Sequence, residues 1–262
     1  MTFISRDTDQ RMVEPLFYYD HLADPGAILT LKGDEAHHAA VSRRLHAGDL
    51  LWLFDGRGGM ARATLLHVTT RGGALELRIE ERSTASPPKP AIHLACALPK
   101  GDRQSVLLDM ATQLGMTQFT PLVCERSVVK PGASHSQRWP RICLEACKQS
   151  RRLYLPVINS PATPREVAAR AAQKKSTAWI AHPSTQAVSV LSAINQGSSA
   201  DVTILVGPEG GFTEEEVRQT IAAGAKPITL GSAILRIETA AVMLLGVFQL
   251  DRPTTPSAGR PV

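Results

Sequence analysis

The stretch VTILVGPEGGFTEEEV, residues 202–217, joins an apolar strand to an acidic helix through a turn that holds three glycines. The β-branched run 202–206 reads as a buried strand. Thr213, with Glu216 three residues on, forms the sequence pattern of a capping box and so marks a helix start. Gly207, Gly210 and Gly211 let the backbone take positive φ and come close to a ligand. In an α/β sheet the C-terminal end of a parallel strand is where ligands bind. Neither GxxxxGK[ST] nor GxGxxG is present, and Glu209, Glu214, Glu215 and Glu216 crowd the helix start. A phosphate is unwelcome there. A phosphate-free ligand held by backbone groups fits, beside the plainer reading of a well-capped strand-to-helix turn.

A second stretch, ITLGSAILRIETAAVMLLG (228–246), has the same shape. A strand ends at Leu230-Gly231, an irregular segment follows, and Arg236-Ile237-Glu238-Thr239 lead into a nearly uncharged helix. Charges at the start of a buried element need partners or a function. The plain reading is an Arg236–Glu238 pair that caps the helix.

Working outward, apolar runs at 91–98, 119–123, 176–182, 202–207 and 226–231 read as strands. Helical periodicity covers 102–115, 136–152 (interrupted near its start by Pro140), 213–224 and 237–250. Strands alternating with helices imply an α/β fold with a mostly parallel sheet covered on both faces. The N-terminal part differs. It offers short strands at 16–19 and 27–31, a hairpin over 50–68 turning at Asp55–Gly59, and an alternating strand at 74–82. One helix is expected over 34–45. Many short strands in so little chain imply a small β-barrel. The proline-rich STASPPKP (83–90) is the linker, which places one domain at 15–83 and another at 91–250. Residues 1–14 and 251–262 are expected to be irregular.

The composition, 262 residues with 43% hydrophobic and 20% charged, is that of folded domains. The net charge of +5 is unevenly spread. Residues 1–90 hold 11 bases against 12 acids, whereas 99–152 hold 9 against 4. A local basic surface suits a phosphate backbone, and an ordinary solvated face fits equally. No apolar run reaches membrane-spanning length, the start lacks a signal-peptide pattern, and a cytoplasmic protein is expected. Cys96, Cys124, Cys143 and Cys147 form no CxxC pair and have no histidine at zinc-ligand spacing. They are expected to be buried thiols, and no metal is implied.

Together these segments resemble the SPOUT superfamily of methyltransferases and, more narrowly, the RsmE family, bacterial enzymes that methylate uracil N3 in 16S ribosomal RNA. The resemblance covers about residues 15–250. It rests on ALPKGDR (97–103), ATQLG (111–115), PLVCERSV (121–128), RW (138–139), EACKQS (145–150), LVGPEGGFTEEEV (205–217) and LGSAILRIETAA (230–241), and in the first domain on GDEAHHAAVSRRLHAGD (33–49) and LFDGRGG (53–59). It implies a trefoil-knotted SPOUT catalytic domain with flanking helices, preceded by a small PUA-like β-barrel that docks RNA, in a homodimer. It also implies that S-adenosylmethionine binds among three loops. On this sequence these are Ala181-His182; Leu205, Val206, Gly207, Pro208, Glu209, Gly210 and Gly211; and Leu230, Gly231, Ile234, Leu235 and Arg236. Two departures stand out. Ile237 occupies the place where the family has Thr or Ser between the Arg and the Glu, and Asp109-Met110 replace Gln-Lys.

Uracil N3 carries a proton, so its methylation requires deprotonation and stabilisation of charge on O2 and O4. Arg236 is the candidate for charge stabilisation. Glu238 is the candidate to orient Arg236 or relay the proton, with Glu209 a weaker alternative. Phosphate contacts are expected from Arg43 and Arg44 in the first domain, and from Arg103, Arg126, Lys130, Arg138, Lys148, Arg151 and Arg152 in the second. His37-His38 fits either RNA contact or helix packing. The partner that the resemblance implies is 16S rRNA in the 30S subunit. The competing readings are a SPOUT enzyme of other base or ribose specificity, and a non-catalytic ribosome assembly factor.

Overall fold

The structure, a computed structural model, describes residues 14–68, 73–184, 186–195 and 201–250. Of the terminal segments 1–14 and 251–262, expected to be irregular, all but Glu14 lie outside the described residues. The chain divides into two compact units between Ala85 and Ser86. Among the described residues, no helix is long and apolar enough to cross a membrane.

In the first unit, β1 (Leu16–Tyr18), β2 (Ile28–Leu31), β3 (Leu50–Phe54), β4 (Gly59–Val68) and β5 (Leu75–Thr84) form one sheet in the order β1-β3-β4-β5-β2. β1 runs parallel to β3, and the other pairs are antiparallel. The β3–β4 hairpin turns where the sequence predicts, with the Asp55 carboxylate accepting the N–H groups of Arg57 at 2.7 Å and Gly59 at 2.9 Å. Leu51, Leu53, Ala61, Ala63, Leu65, Leu75, Leu77 and Ile79 alternate along their strands and are fully buried in one core. The helix expected over 34–45 is shorter. It runs as α1 (Gly33–His37) and then widens into a π turn (His38–Ser42), in which the Arg43 N–H donates to the His38 carbonyl at 3.0 Å.

The second unit holds β6 (Ile92–Cys96), α2 (Arg103–Gln113), β7 (Gln118–Pro121), α3 (Ala133–Ser150), β8 (Val157–Ile158), α4 (Pro164–Gln173), β9 (Thr177–Ala181), β10 (Val188–Ser189), α5 (Val190–Asn195), β11 (Val202–Val206), α6 (Glu214–Ala222), β12 (Lys226–Thr229) and α7 (Ile237–Leu250). Its seven strands are all parallel, in the order β10-β12-β9-β11-β6-β7-β8. Both faces are covered. Ile92, Leu94 and Cys96 of β6 face a core shared with α2, α3, α5 and α7. Ala95, one residue out of step, faces a second core shared with α4 and α6. This double burial is why the strands read as continuous apolar runs. Contrary to the sequence expectation, Pro140 does not interrupt α3, which is continuous around it. The proline forgoes one backbone hydrogen bond, and the buried stripe Trp139, Cys143, Ala146 and Cys147 holds the helix together on either side.

Candidate functional site

The sheet order brings the predicted segments together. β9 lies between β12 and β11, with Val206 opposite Ala181 and Ala181 opposite Ile228. The three strands therefore end side by side, and Ala181-His182, Gly207–Gly211 and Leu230–Arg236 emerge at the C-terminal end of the sheet. The His182 N–H donates to the Ile228 carbonyl at 3.1 Å, which fastens two of these ends.

The first turn is built by its own residues. Gly207 sits against the Phe212 ring, and a Cβ there would lie 2.9 Å from a ring carbon. Gly211 has φ +71°, the left-handed region where glycine costs least. The capping box forms as predicted: the Thr213 hydroxyl accepts the Glu216 N–H at 3.2 Å, and the Glu216 carboxylate accepts the Thr213 N–H at 2.8 Å. Glu216 also accepts the Glu125 N–H at 2.8 Å, and Arg126 donates to the Gly210 carbonyl at 2.9 Å. The segment after β7 is thus bound to this turn.

The second turn is more open. Gly231 has φ +112°, and a Cβ there would meet only open space. Ile234 is wholly exposed, at 101%. Ile237, at the position where the resembled family carries a hydroxyl, is 3% exposed and part of the main core.

The charges differ from expectation. Arg236 is exposed, not drawn into a buried element, and among the described residues the plainer reading, an Arg236–Glu238 pair, does not form. Glu238, with its side chain 13% exposed, instead has Oε1 3.5 Å from the Arg103 guanidinium. The same guanidinium lies 4.0 Å from Glu209 Oε1. Glu238 Oε2 is buried and has no hydrogen-bond partner among the described residues. Sequence reasoning gave Arg103 to RNA, and nothing in spacing links it to Glu238, because the contact depends on α2 packing beside α7.

The other basic residues separate by environment. Arg43, Arg44, Arg126, Lys130 and Arg138 are exposed. Arg138 lines a cleft of about 580 Å³ with Lys100, Asp102, Ser105 and Trp139. Lys148 does not fit the expected phosphate contact. It is buried, with its ammonium 3.2 Å from Glu145 on the same helix. Arg152 is half-buried and donates to the Thr112 carbonyl at the end of α2, and Arg151 is the left-handed C-cap of α3. In the first unit, His38 packs edge-on against Phe17 at 5.8 Å, the packing alternative for that pair, and His37 is exposed.

The four cysteines are buried free thiols. Burial pushes the Cys124 and Cys147 thiols up to about 12 and raises Cys96 and Cys143, so none is a ready nucleophile.

Comparison with known proteins bears on both units. An RNA methyltransferase domain family matches residues 86–249, and an RNA methyltransferase PUA domain family matches 31–77. The chain is 34% identical over 243 residues to Ribosomal RNA small subunit methyltransferase E of Mycobacterium bovis, covering 90% of this chain and 91% of that one. It is 33% identical to the protein of that name from Synechocystis, covering 84% and 72%. Among solved structures, a Ribosomal RNA small subunit methyltransferase E from Neisseria gonorrhoeae bound to S-adenosyl methionine superposes with a TM-score of 0.79 at 29% identity, covering 90% of this chain and 97% of that one. A Legionella pneumophila protein in complex with the bound cofactor SAM gives the same TM-score and coverage at 30% identity.

Proposed function

Because this chain belongs to the RNA methyltransferase family, among the proteins named Ribosomal RNA small subunit methyltransferase E, we propose that it transfers a methyl group from S-adenosylmethionine to N3 of one uridine of 16S rRNA in the small ribosomal subunit. The observation that carries the reading is the convergence of three strand ends, at Ala181-His182, Val206-Gly207 and Thr229-Leu230, at the C-terminal end of a parallel sheet.

The residues present fit the cofactor. A backbone turn without a phosphate loop, an open positive-φ glycine at 231, a fully exposed Ile234 and an orphaned buried oxygen on Glu238 together suit a nucleoside with an apolar face and a cationic centre. Ala181-His182, Leu205–Gly211 and Leu230–Arg236 would hold it. When bound, S-adenosylmethionine supplies an electrophilic methyl group on a sulfonium. The chain's own task is to make uracil N3 nucleophilic and to hold it in line. We assign the N3 proton to the Glu238 carboxylate, whose Oε2 is unengaged. We assign to the exposed Arg236 guanidinium the charge that develops on O2 and O4, a contribution of about 3 kcal/mol in sites of this kind.

Residues 15–83 would form the RNA-docking PUA-like domain and 91–250 the catalytic SPOUT domain. RNA phosphates would be met by Arg43 and Arg44 of the first and by Arg126, Lys130 and Arg138 of the second. We further infer a trefoil knot around the second turn. It is supported by the match of residues 86–249 to the RNA methyltransferase domain family. A homodimer accords with the exposed Val106, Met110 and Met243 on α2 and α7. Work in the cytoplasm, where small subunits are assembled, follows from this substrate.

The test is transfer of labelled methyl to 30S subunits and to free 16S RNA from a strain lacking the protein, with the modified nucleotide mapped. Label at uracil N3 is the expected outcome. Label at another base or at a ribose refutes the specificity, and no transfer to either substrate refutes the enzymatic reading. Arg236→Ala is expected to abolish most transfer while cofactor binding persists; near-normal turnover removes Arg236 from the mechanism.

A further inference from the structure

The Arg103 guanidinium stands between two carboxylates, Glu209 within the first turn and Glu238 in the first turn of α7, just after the second. We propose that Arg103 is a positioning residue that sets the spacing of the two cofactor turns and holds the Glu238 carboxylate in place, and that it is not an RNA contact. This rests on the methyltransferase reading of the site.

Three observations carry it. First, Glu238 is nearly withdrawn from water, at 13% side-chain exposure. A carboxylate so placed is costly unless a cation compensates it, and among the described residues Arg103 is the cation paired with it. Second, Glu209 and Glu238 would repel one another if brought to one place without a cation between them. The fully buried Cys96 thiol at the end of β6, raised first by its burial and next by Cys124, is raised further by both carboxylates, as their shared closeness to Arg103 implies. Third, Arg103 is the first residue of α2, which follows β6, and β6 pairs with β11. The Ala97 N–H donates to the Val206 carbonyl at 2.9 Å, so the start of this connection is tied to the strand that carries the first turn. Arg103 therefore stands on a connection tied to β11 and reaches α7's first turn, which enters from a segment with an open Gly231 and an exposed Ile234.

An arginine suits this better than a lysine. Its planar fork offers donors in two directions at once, whereas an ammonium is a single point of charge. A guanidinium engaged with two carboxylates is also a poor phosphate ligand, because a phosphate approaching it would meet Glu209 and Glu238 as well.

The experiment measures three quantities on the full chain carrying Arg103→Ala, Arg103→Lys or Glu238→Ala, and on the Arg103→Ala/Glu238→Ala double variant: S-adenosylmethionine affinity by calorimetry, 16S RNA affinity across salt concentrations, and methyl transfer. The expected result is that Arg103→Ala weakens cofactor binding by about tenfold or more, leaves RNA affinity and its salt slope within about twofold, and is no more harmful when Glu238 is already removed. Arg103→Lys should recover part of the cofactor affinity, which a loss of folding would not allow. Unchanged cofactor affinity with weakened RNA binding and a flatter salt slope overturns the proposal in favour of a phosphate contact. Additive losses in the double variant also overturn it. If the unsubstituted protein binds no S-adenosylmethionine, the reading of the whole site fails. If it binds normally and the Arg103 variants depart from the results expected above, the positioning role alone fails.

Discussion

Gly207 ends β11 against the Phe212 ring, and a Cβ built there would lie 2.9–3.1 Å from three ring carbons. The ring is 4% exposed and packed in the core between the sheet and the α4–α6 layer, so it cannot swing aside freely. Gly207→Ala should therefore cost about 1–3 kcal/mol of stability, as overpacking does. It should also weaken cofactor binding, because relief of the clash moves residues 208–211. Denaturant unfolding and a cofactor titration check the two effects, and a variant with wild-type values for both would show that the turn tolerates the methyl group. The glycine was legible in the sequence as a site of close approach, but the body it approaches was not. The same holds for the charges. Lys148, Arg152 and Arg103 look alike in sequence as members of one basic stretch. The structure gives the first to Glu145, the second to the Thr112 carbonyl and the third to Glu238 and Glu209. A charge states its sign in the sequence; its partner is chosen by packing.

Elements with local signals are legible in the sequence. The capping box at Thr213 and the uncharged run of α7 specify themselves through neighbours three or four residues away. The helix α4 escaped notice although Thr163-Pro164-Arg165-Glu166 carries a capping box with proline at the first helical position, and both reciprocal bonds form. Strands β8 and β10, two residues each, have no period to detect. In β6, His93 interrupts an apolar run for a reason the sequence does not give: its Nε2 lies 2.7 Å from the Thr120 hydroxyl on β7, which also accepts from Asn159. Burial, and after it Lys174 and Arg170, lower the His93 pKa from 6.5 to about 4. The folded protein thus resists a proton that the unfolded chain accepts below pH 6.5. Stability should fall as pH drops from 6.5 toward 4, by about 2 kcal/mol between pH 7 and pH 5 from this residue. Urea unfolding of wild type and His93→Gln at the two pH values isolates the effect. An equal pH dependence in both proteins would remove His93 as its source.

For the whole molecule, the surface that remains for RNA is smaller than the basic composition implies. Arg43 and Arg44 are exposed in the first unit, and Arg126, Lys130 and Arg138 in the second, while Lys148 is buried. Replacing Arg43 and Arg44 together should weaken RNA binding and lower the magnitude of its log–log salt slope by about 1.4–1.8, the release of counterions from two phosphates. Lys148→Ala should lower stability and leave that slope unchanged. Filter binding across salt concentrations separates them, and a flattened slope for Lys148→Ala alone would contradict its burial. The sequence by itself determined the two-part organisation, the parallel sheet covered on both faces, the capped turns and the motifs of an RNA methyltransferase. Each of these is written in spacings of two to four residues or in contiguous words. The tertiary structure alone decided that three strand ends meet at one end of the sheet, that Glu238 pairs with Arg103 and not with Arg236, and which basic side chains remain exposed. Those contacts join residues tens to more than a hundred positions apart. They arise when sheet order and helix packing set distant segments side by side, a geometry that no local spacing records.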